Sequence, residues 1–391
     1  MKNVKFLIFI PLIFLLSGCY NYRELNELAI VSAIGISKTD DEYKLTTQVM
    51  NTKKTGQDNN SSGEQPKFVT YNSKGKTIQK ALRNVVFESP RRLYLNHMQL
   101  LIIDEDLAKD GIHDILDWFA RDSESRKQFY VLISKNSEDV LNTLTILDTL
   151  NSQKITNTLK TDNRFLGISE LTTFEKILKV YMNKNQEIIL PTIKVTGDPK
   201  NGKTDKNLKS SDPKSKLIIK PMAVFKNDKL IGYLNEKQSQ SLNFIKNNIN
   251  STLIEAKCPN NKYIVSEIIK TKTELKPITK SKNPQLIINI KGKGNINEIT
   301  CDYDLEKNKN IKKIENYINN SIKNSIKSSI KTINQKYNSD IYGFGNLFYK
   351  NNPQYYYKYW NKNSLKNLNI KINVDIKLIE KGNILKVIKN E

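Results

Sequence analysis

Residues 98–103 read MQLLII, a buried-strand pattern, and a helical pattern follows it to about Ala120. Phe129 to Ile133 (FYVLI) repeats the strand signal. Ser137-x-Asp139, followed by Val140, Leu141 and Leu144, then opens another helix. Strand, helix, strand, helix in that order predicts a mixed sheet with helices packed on it.

Working outward, Leu28 to Ser37 (LAIVSAIGIS) and Tyr43 to Met50 (YKLTTQVM) are strand candidates, and Asp40-Asp41 between them predicts a hairpin. Thr52 to Pro66 is polar and turn-rich and reads as an exposed loop. Thr77 to Phe87 has helical periodicity that stops at Ser89-Pro90. Downstream, Glu170 to Tyr181 predicts a helix and Glu187 to Val195 a strand carrying an edge-type Pro191. Thr196 to Lys216 lacks any large apolar residue except Leu208, which predicts an interdomain linker at 201–216.

A second β-rich start follows at Leu217 to Ile219, Met222 to Phe225 and Lys229 to Leu234, with a helix over Glu236 to Ile249. Tyr263 to Ile269 and Leu286 to Ile290 are further strand candidates. Ile311, Ile314, Ile318, Ile322, Ile326, Ile330 and Ile333 recur every three or four residues, the stripe of one long amphipathic helix. Such a helix could lie on a membrane or bind a partner; strands on both sides favour a core helix covering a sheet. Leu368, Ile370, Ile372, Val374, Ile376 and Leu378 alternate strictly, a half-buried strand ending near Gly382. The expected fold class is α+β, multi-domain, with mixed or antiparallel sheets each packed with helices. An N-terminal α/β region spans 19–200, and a C-terminal α+β domain spans 217–391.

The chain has 391 residues and a formal net charge of +23, from 63 Lys+Arg against 40 Asp+Glu. Charge of that size can accompany disorder, but the apolar periodicities argue for a folded chain. The base is mostly Lys: only seven residues are Arg, none beyond Arg164. Arg is favoured for bidentate phosphate and guanine contacts, so this composition argues against nucleic-acid binding. Three Cys and two His exclude a disulfide scaffold or a multi-ligand zinc cluster. No stretch after residue 20 approaches the ~18–20 apolar residues needed to cross a bilayer.

The first residues indicate the compartment. Lys2 and Lys5 precede an apolar run, Phe6 to Leu16, which fits a secretory signal and is too short to span. Leu16-Ser17-Gly18-Cys19 follows it as a lipobox. Small residues before a Cys at that position predict removal of residues 1–18 and a diacylglyceryl group on Cys19, which becomes the new N-terminus. The expected protein is extracytoplasmic and lipid-anchored, with a formal side-chain charge of +21 once Lys2 and Lys5 are lost. Cys258 and Cys301 could pair in that setting, though 43 residues of separation say nothing about their distance.

No catalytic constellation is evident. His97 and His113 are sixteen residues apart without an HExxH, a pattern typical of structural histidines. Gly292-x-Gly294 and Gly343-x-Gly345 lack the remaining glycines of a nucleotide loop, and Glu88 and Asp104 are ordinary carboxylates by sequence. No cofactor or metal site is expected. Tyr342 to Trp360 (YGFGNLFYKNNPQYYYKYW) is densely aromatic; such rings could line a ligand groove or an interface, or pack the end of a domain.

With these residues laid out, the chain resembles the Ger(x)C spore-germination lipoproteins, the C subunits of nutrient germinant receptors. The resemblance begins at the lipobox and runs through Tyr22-Arg23-Glu24-Leu25-Asn26-Glu27-Leu28-Ala29-Ile30-Val31. It continues at Pro90-Arg91-Arg92-Leu93-Tyr94, His97, Ala108-Lys109-Asp110-Gly111 and Arg121-Asp122-Ser123-Glu124-Ser125-Arg126. In the C-terminal half it takes in Ala223-Val224-Phe225-Lys226, Asp340, Gly343-Phe344-Gly345 and Trp360. Cys258, Cys301 and the Tyr cluster around Tyr355 to Tyr359 depart from the family pattern.

The resemblance implies a non-enzymatic subunit, lipid-anchored on the outer face of the inner spore membrane. Its implied partners are the integral membrane A and B subunits of the germinant receptor, and membrane lipid through Cys19. It also implies three domains; from the chain itself, strand-rich pieces flanking a continuous block suggest that about 50–75 and 155–200 combine into a small middle unit. The rival class is a solute-binding lipoprotein of a transporter, which would show two similar lobes of repeated βαβ units. A cell-wall hydrolase would need a carboxylate pair or metal site.

Overall fold

The computed structural model describes residues 27–51, 67–148, 150–361 and 363–380. The lipobox, Cys19, the motif residues 22–26, the expected loop over 52–66 and Gly382 lie outside them. Strands β1 (Leu28–Thr39) and β2 (Glu42–Met50) form the expected hairpin. Asp40 and Asp41 both have positive φ, 51° and 60°, giving the two-residue turn whose twist suits a tight hairpin. Strand β3 (Phe68–Gly75) pairs antiparallel with β2 and leads into helix α1 (Ile78–Asn84), capped by the Thr77 side chain accepting from the Lys80 N–H.

A short strand β4 (Arg92–Tyr94) pairs with the start of β1, and β5 (Leu100–Asp104) pairs parallel with its middle. The single helix expected after β5 is two, α2 (Glu105–Asp110) and α3 (His113–Arg121). The break is Gly111, whose φ of +135° ends the first. Strand β6 (Tyr130–Ser134) and helices α4 (Ser137–Asn142), α5 (Asn151–Phe165) and α6 (Phe174–Met182) follow, then β7 (Ile189–Thr196). Leu101, Ile103, Val131 and Ile133 point into one apolar layer; Leu100, Ile102 and Leu132 point into the other. Burial on both faces is why MQLLII and FYVLI read as continuous runs rather than alternations.

Strands β8 (Lys216–Lys226) and β9 (Lys229–Tyr233) complete this sheet, whose order is β3-β2-β1-β5-β6-β7-β8-β9 with β4 beside β1. Three expectations are corrected by that order. The described parts of 50–75 and 155–200 do not combine into a middle unit: β3 is at one edge, and four strands separate it from β7. Pro191 is not on an edge strand; it sits at a register irregularity between Leu190 and Thr192, where the ladder tolerates a missing donor. Segment 201–216 is not an interdomain linker, because it joins two antiparallel neighbours of one sheet.

That segment is polar because its backbone is satisfied by side-chain amides rather than by solvent. The buried Asn207 donates to Leu144 O (2.8 Å) and Ser215 O (3.0 Å) and accepts from the Ser215 N–H (3.1 Å). Gly202 O accepts from the Leu144 N–H at 2.8 Å. Gly197 begins the excursion at φ +80°, where a Cβ would stand 1.9 Å from Lys214 O.

Helix α7 (Glu236–Ile245) leads into a second sheet, β10 (Thr252–Cys258), β11 (Lys262–Ile278), β12 (Gln285–Ile299) and β13 (Asn369–Glu380). The first three strands form an antiparallel meander, and β13 runs parallel to β12. The long helix α8 (Asn308–Lys336) is part of the crossover that a parallel pair requires. All seven isoleucines of its stripe are buried in the second core. The stripe is therefore occupied by the protein's own sheet, as the core-helix reading expected. That core also takes in Ile189, Met222 and Val224 from β7 and β8, so the two sheets share one apolar interior.

Candidate functional site

The connection between the two sheets is built from polar side chains that sequence reading passed over. Glu170 is 2% exposed and pairs with both Lys176, on α6, and Lys246, just after α7, the latter at 2.9 Å. Burial alone would raise its pKa, but the two ammonium groups outweigh burial and hold it below the ordinary glutamate value. Around it, Asn243 on α7 donates to Gly167 O at 2.8 Å, and Thr252 on β10 donates to Leu166 O at 2.6 Å. The clamp thus ties the 166–170 loop to the first elements of the second unit.

A second junction uses the aromatic segment. Helices α9 (Phe344–Asn351) and α10 (Pro353–Tyr359) fold so that Phe348 meets Tyr355 and Trp360, with centroids 6.2 and 4.9 Å apart. The buried Asp340 accepts from the backbone N–H groups of Gly343 (2.9 Å), Phe344 (3.0 Å) and Gly345 (2.6 Å). Its own carbonyl accepts from Glu187 N at 3.0 Å, and Tyr356 donates to Asn185 Oδ1 at 2.7 Å. Gly343 has φ +78°, and a Cβ there would stand 2.9 Å from Gln186 Oε1. Of the two readings left open by sequence, most of these rings pack the end of the second unit against 185–187. Tyr357 is the ring left outward, at 76% exposed.

A concavity of about 1110 Å³ runs between α7, β10 and α8. Its α8 wall carries Ser321, Asn324, Ser325, Ser328 and Thr332, the polar residues that flank the buried Ile stripe. Ser321 donates to Glu255 O on β10 at 3.2 Å, and Ser325 lies 3.1 Å from Ser241. The opposite wall adds the charged side chains of Glu236, Lys237, Glu255 and Lys257, so the concavity presents both charged and uncharged hydrogen-bonding groups.

The residues singled out by sequence do not converge. His97 is exposed with its ring tilted against Tyr94, centroids 5.9 Å apart, whereas His113 Nδ1 lies 2.8 Å from the Tyr181 hydroxyl. Glu88 is exposed. Asp104 accepts from the Ser137 N–H at 2.7 Å, and burial pushes its pKa up to about 6. No group of three or more metal-capable side chains occurs among the described residues. Cys258 and Cys301 are joined as a disulfide with Cα atoms 6.5 Å apart. The bond ties the end of β10 to the chain just after β12. Replacing both with Ser is expected to lower the unfolding free energy by roughly 3 kcal/mol through loop entropy. Urea denaturation checks it: reductant should shift the parent by the same amount and leave the double variant unmoved.

Residues 21–195 match the family described as spore germination protein N-terminal domain, and residues 220–382 match spore germination B3/GerAC like, C-terminal. The chain belongs to the GerAC-like spore germination family. Among its GerAC-like relatives is "Spore germination protein KC" of Bacillus subtilis (strain 168), 29% identical over 374 residues, covering 93% of this chain and 92% of that protein. "Spore germination protein B3" of the same organism is 25% identical, covering 75% and 74%. The crystal structure of the GerBC protein shares the fold, with TM-score 0.55 at 19% identity over 88% of this chain and 96% of that one. The two matched regions are separated by 196–219, where the polar excursion lies, although the first sheet runs on to Tyr233.

Proposed function

We propose that this GerAC-like chain is the lipid-anchored, non-catalytic subunit of a spore nutrient germinant receptor, working in germination by assembling with the integral membrane A and B subunits. The observation that carries the reading is the pair of family matches, in order, over nearly all of the chain after residue 20. Relatives named as spore germination proteins align over nine-tenths of both lengths, which suits a whole subunit of that kind. The polar groove and the outward Tyr357 supply surface for binding. The Cys258–Cys301 bond suits an extracytoplasmic site, on the outer face of the inner spore membrane. A solute-binding lipoprotein would present two similar βαβ lobes; the two unlike sheets here favour the receptor subunit.

Affinity purification from detergent-solubilised dormant-spore membranes tests the assembly. Two integral germination subunits should co-purify; a permease with an ATPase would overturn the reading in favour of solute capture. Anchoring is tested separately. Cys19→Ala should shift the protein from the membrane pellet to the soluble fraction, because two acyl chains provide most of the membrane affinity, at about 0.8 kcal/mol per buried CH₂. Unchanged pelleting of an unlipidated variant would remove Cys19 from the model of anchoring.

A further inference from the structure

We propose that Val86, Phe87, Arg91 and Arg126 form a second, non-covalent membrane contact: an aromatic and cationic patch that rests on an anionic lipid surface beside the tethered end of the chain. The inference rests on the lipid-anchor reading above. Val86 and Phe87 are 61% and 87% exposed, two adjacent apolar side chains in solvent just beyond α1, while their neighbour Val85 is buried and carries the packing. A lone exposed aliphatic residue is ordinary, but a nearly fully exposed Phe beside an exposed Val is an apolar tip without an intramolecular use.

The fold ties this tip to the tether. Phe87 lies five positions before Arg92, and Arg92 pairs in register with Leu28 at the start of β1. Five extended residues span at most about 17 Å, and the nine steps from Cys19 to Leu28 at most about 30 Å. With acyl chains on Cys19, the bilayer lies within about 50 Å of this patch, the two spans taken in series. A weak contact then becomes an intramolecular one at high effective concentration.

Five of the seven arginines, Arg83, Arg91, Arg92, Arg121 and Arg126, fall between 83 and 126, a stretch that also carries nine Asp and Glu, so the cationic character belongs to individual guanidinium groups and not to the stretch as a whole. Arg92 is spent on Glu124 and Arg121 on Asp117. Arg126 donates to Asn96 Oδ1 at 3.0 Å, just beyond β4, which places it beside Arg92 and the start of β1. Among the described residues the side chains of Arg83 and Arg91 have no partner, and the exposed Glu88 opposes them with one charge. A guanidinium takes a phosphodiester bidentately, and an exposed Phe four positions before Arg91 suits the boundary between headgroups and acyl chains.

The test uses the full lipidated chain in phosphatidylglycerol-containing vesicles whose acyl chains carry bromine. Phe87→Trp adds one indole, read after subtracting the parent, in which Trp118 and Trp360 supply the background. The added indole should be quenched and blue-shifted, whereas Met182→Trp, at another exposed site, should not be. Adding Arg91→Glu to Phe87→Trp should cut the quenched population about fivefold. A chain that stays on the vesicles with the new indole unquenched overturns the patch and leaves the anchor standing; a chain that washes off overturns the anchor reading itself. Quenching at both positions, or shielding of the indole only when integral germination subunits are added, would overturn the lipid assignment, the latter in favour of a protein partner.

Discussion

Glu170→Ala is expected to lower the unfolding free energy by about 3–5 kcal/mol, because it strands Lys246 without its carboxylate at a site only 14% exposed. The loss should exceed that of Lys176→Ala, since Lys176 is 44% exposed, water can enter its place, and Glu170 keeps Lys246 as a partner. Adding Lys246→Met to Glu170→Ala should recover part of the loss, as an apolar side chain removes the uncompensated charge. The pH dependence has a definite sign. The two lysines hold the folded-state pKa of Glu170 below its ordinary value of 4.5 despite burial. Its stabilising share is therefore present above that value and lost as pH falls through the folded pKa. Urea midpoints for the four proteins at neutral and acid pH measure all of this. Equal midpoints for parent and Glu170→Ala at neutral pH would show that the clamp holds nothing.

Asp340→Ala should cost roughly 4 kcal/mol, because the N–H groups of Gly343, Phe344 and Gly345 lose their acceptor inside a closed core. Here the sign of the titration is opposite. Burial outweighs the three donors and pushes the pKa up from 3.8 to about 6. The folded state then binds a proton that the unfolded state has released, so this group's share of stability falls between about pH 4 and pH 6 and stays level above. Asp340→Asn keeps one acceptor and cannot ionise, so it should abolish that decline while costing less than Ala. Denaturation of the parent and both variants at pH 4 and pH 7 separates the loss of acceptor from the loss of charge.

How much of this was legible in the sequence depends on the kind of interaction. The hairpin at Asp40-Asp41, the strands at 98–103 and 129–133 and the Ile stripe of α8 were readable because apolar periodicity and turn chemistry are local. The linker expectation failed for a physical reason. A segment without large apolar residues reads as solvated, yet Asn207 satisfies backbone groups sixty-odd residues away and holds the excursion against the sheet. Pro191 misled similarly, since a bulge offers the same relief from the ladder as an edge.

The buried carboxylates were illegible because their partners are remote: Glu170 meets Lys246 across 76 positions. Only Asp340 carried a local signal, three residues before Gly343-Phe344-Gly345, where the glycine backbone leaves N–H groups convergent on one carboxyl. The aromatic run was noticed but not assignable, because ring density alone does not distinguish packing from binding.

The first sheet's extension to Tyr233 bears on how members of this family can be recombined. A crossover between two relatives at 196–219, the boundary suggested by aligned sequence, would graft foreign β8 and β9 strands onto a resident β7. The hybrid would need its Val224 and Phe225 to match another parent's ladder in register and shape. A graft joined after Tyr233 would instead keep the whole eight-strand path native and leave α7 as the first foreign element. The same reasoning suggests that natural exchange of C-terminal modules among such proteins, where it occurs, carries its seam on the far side of β9.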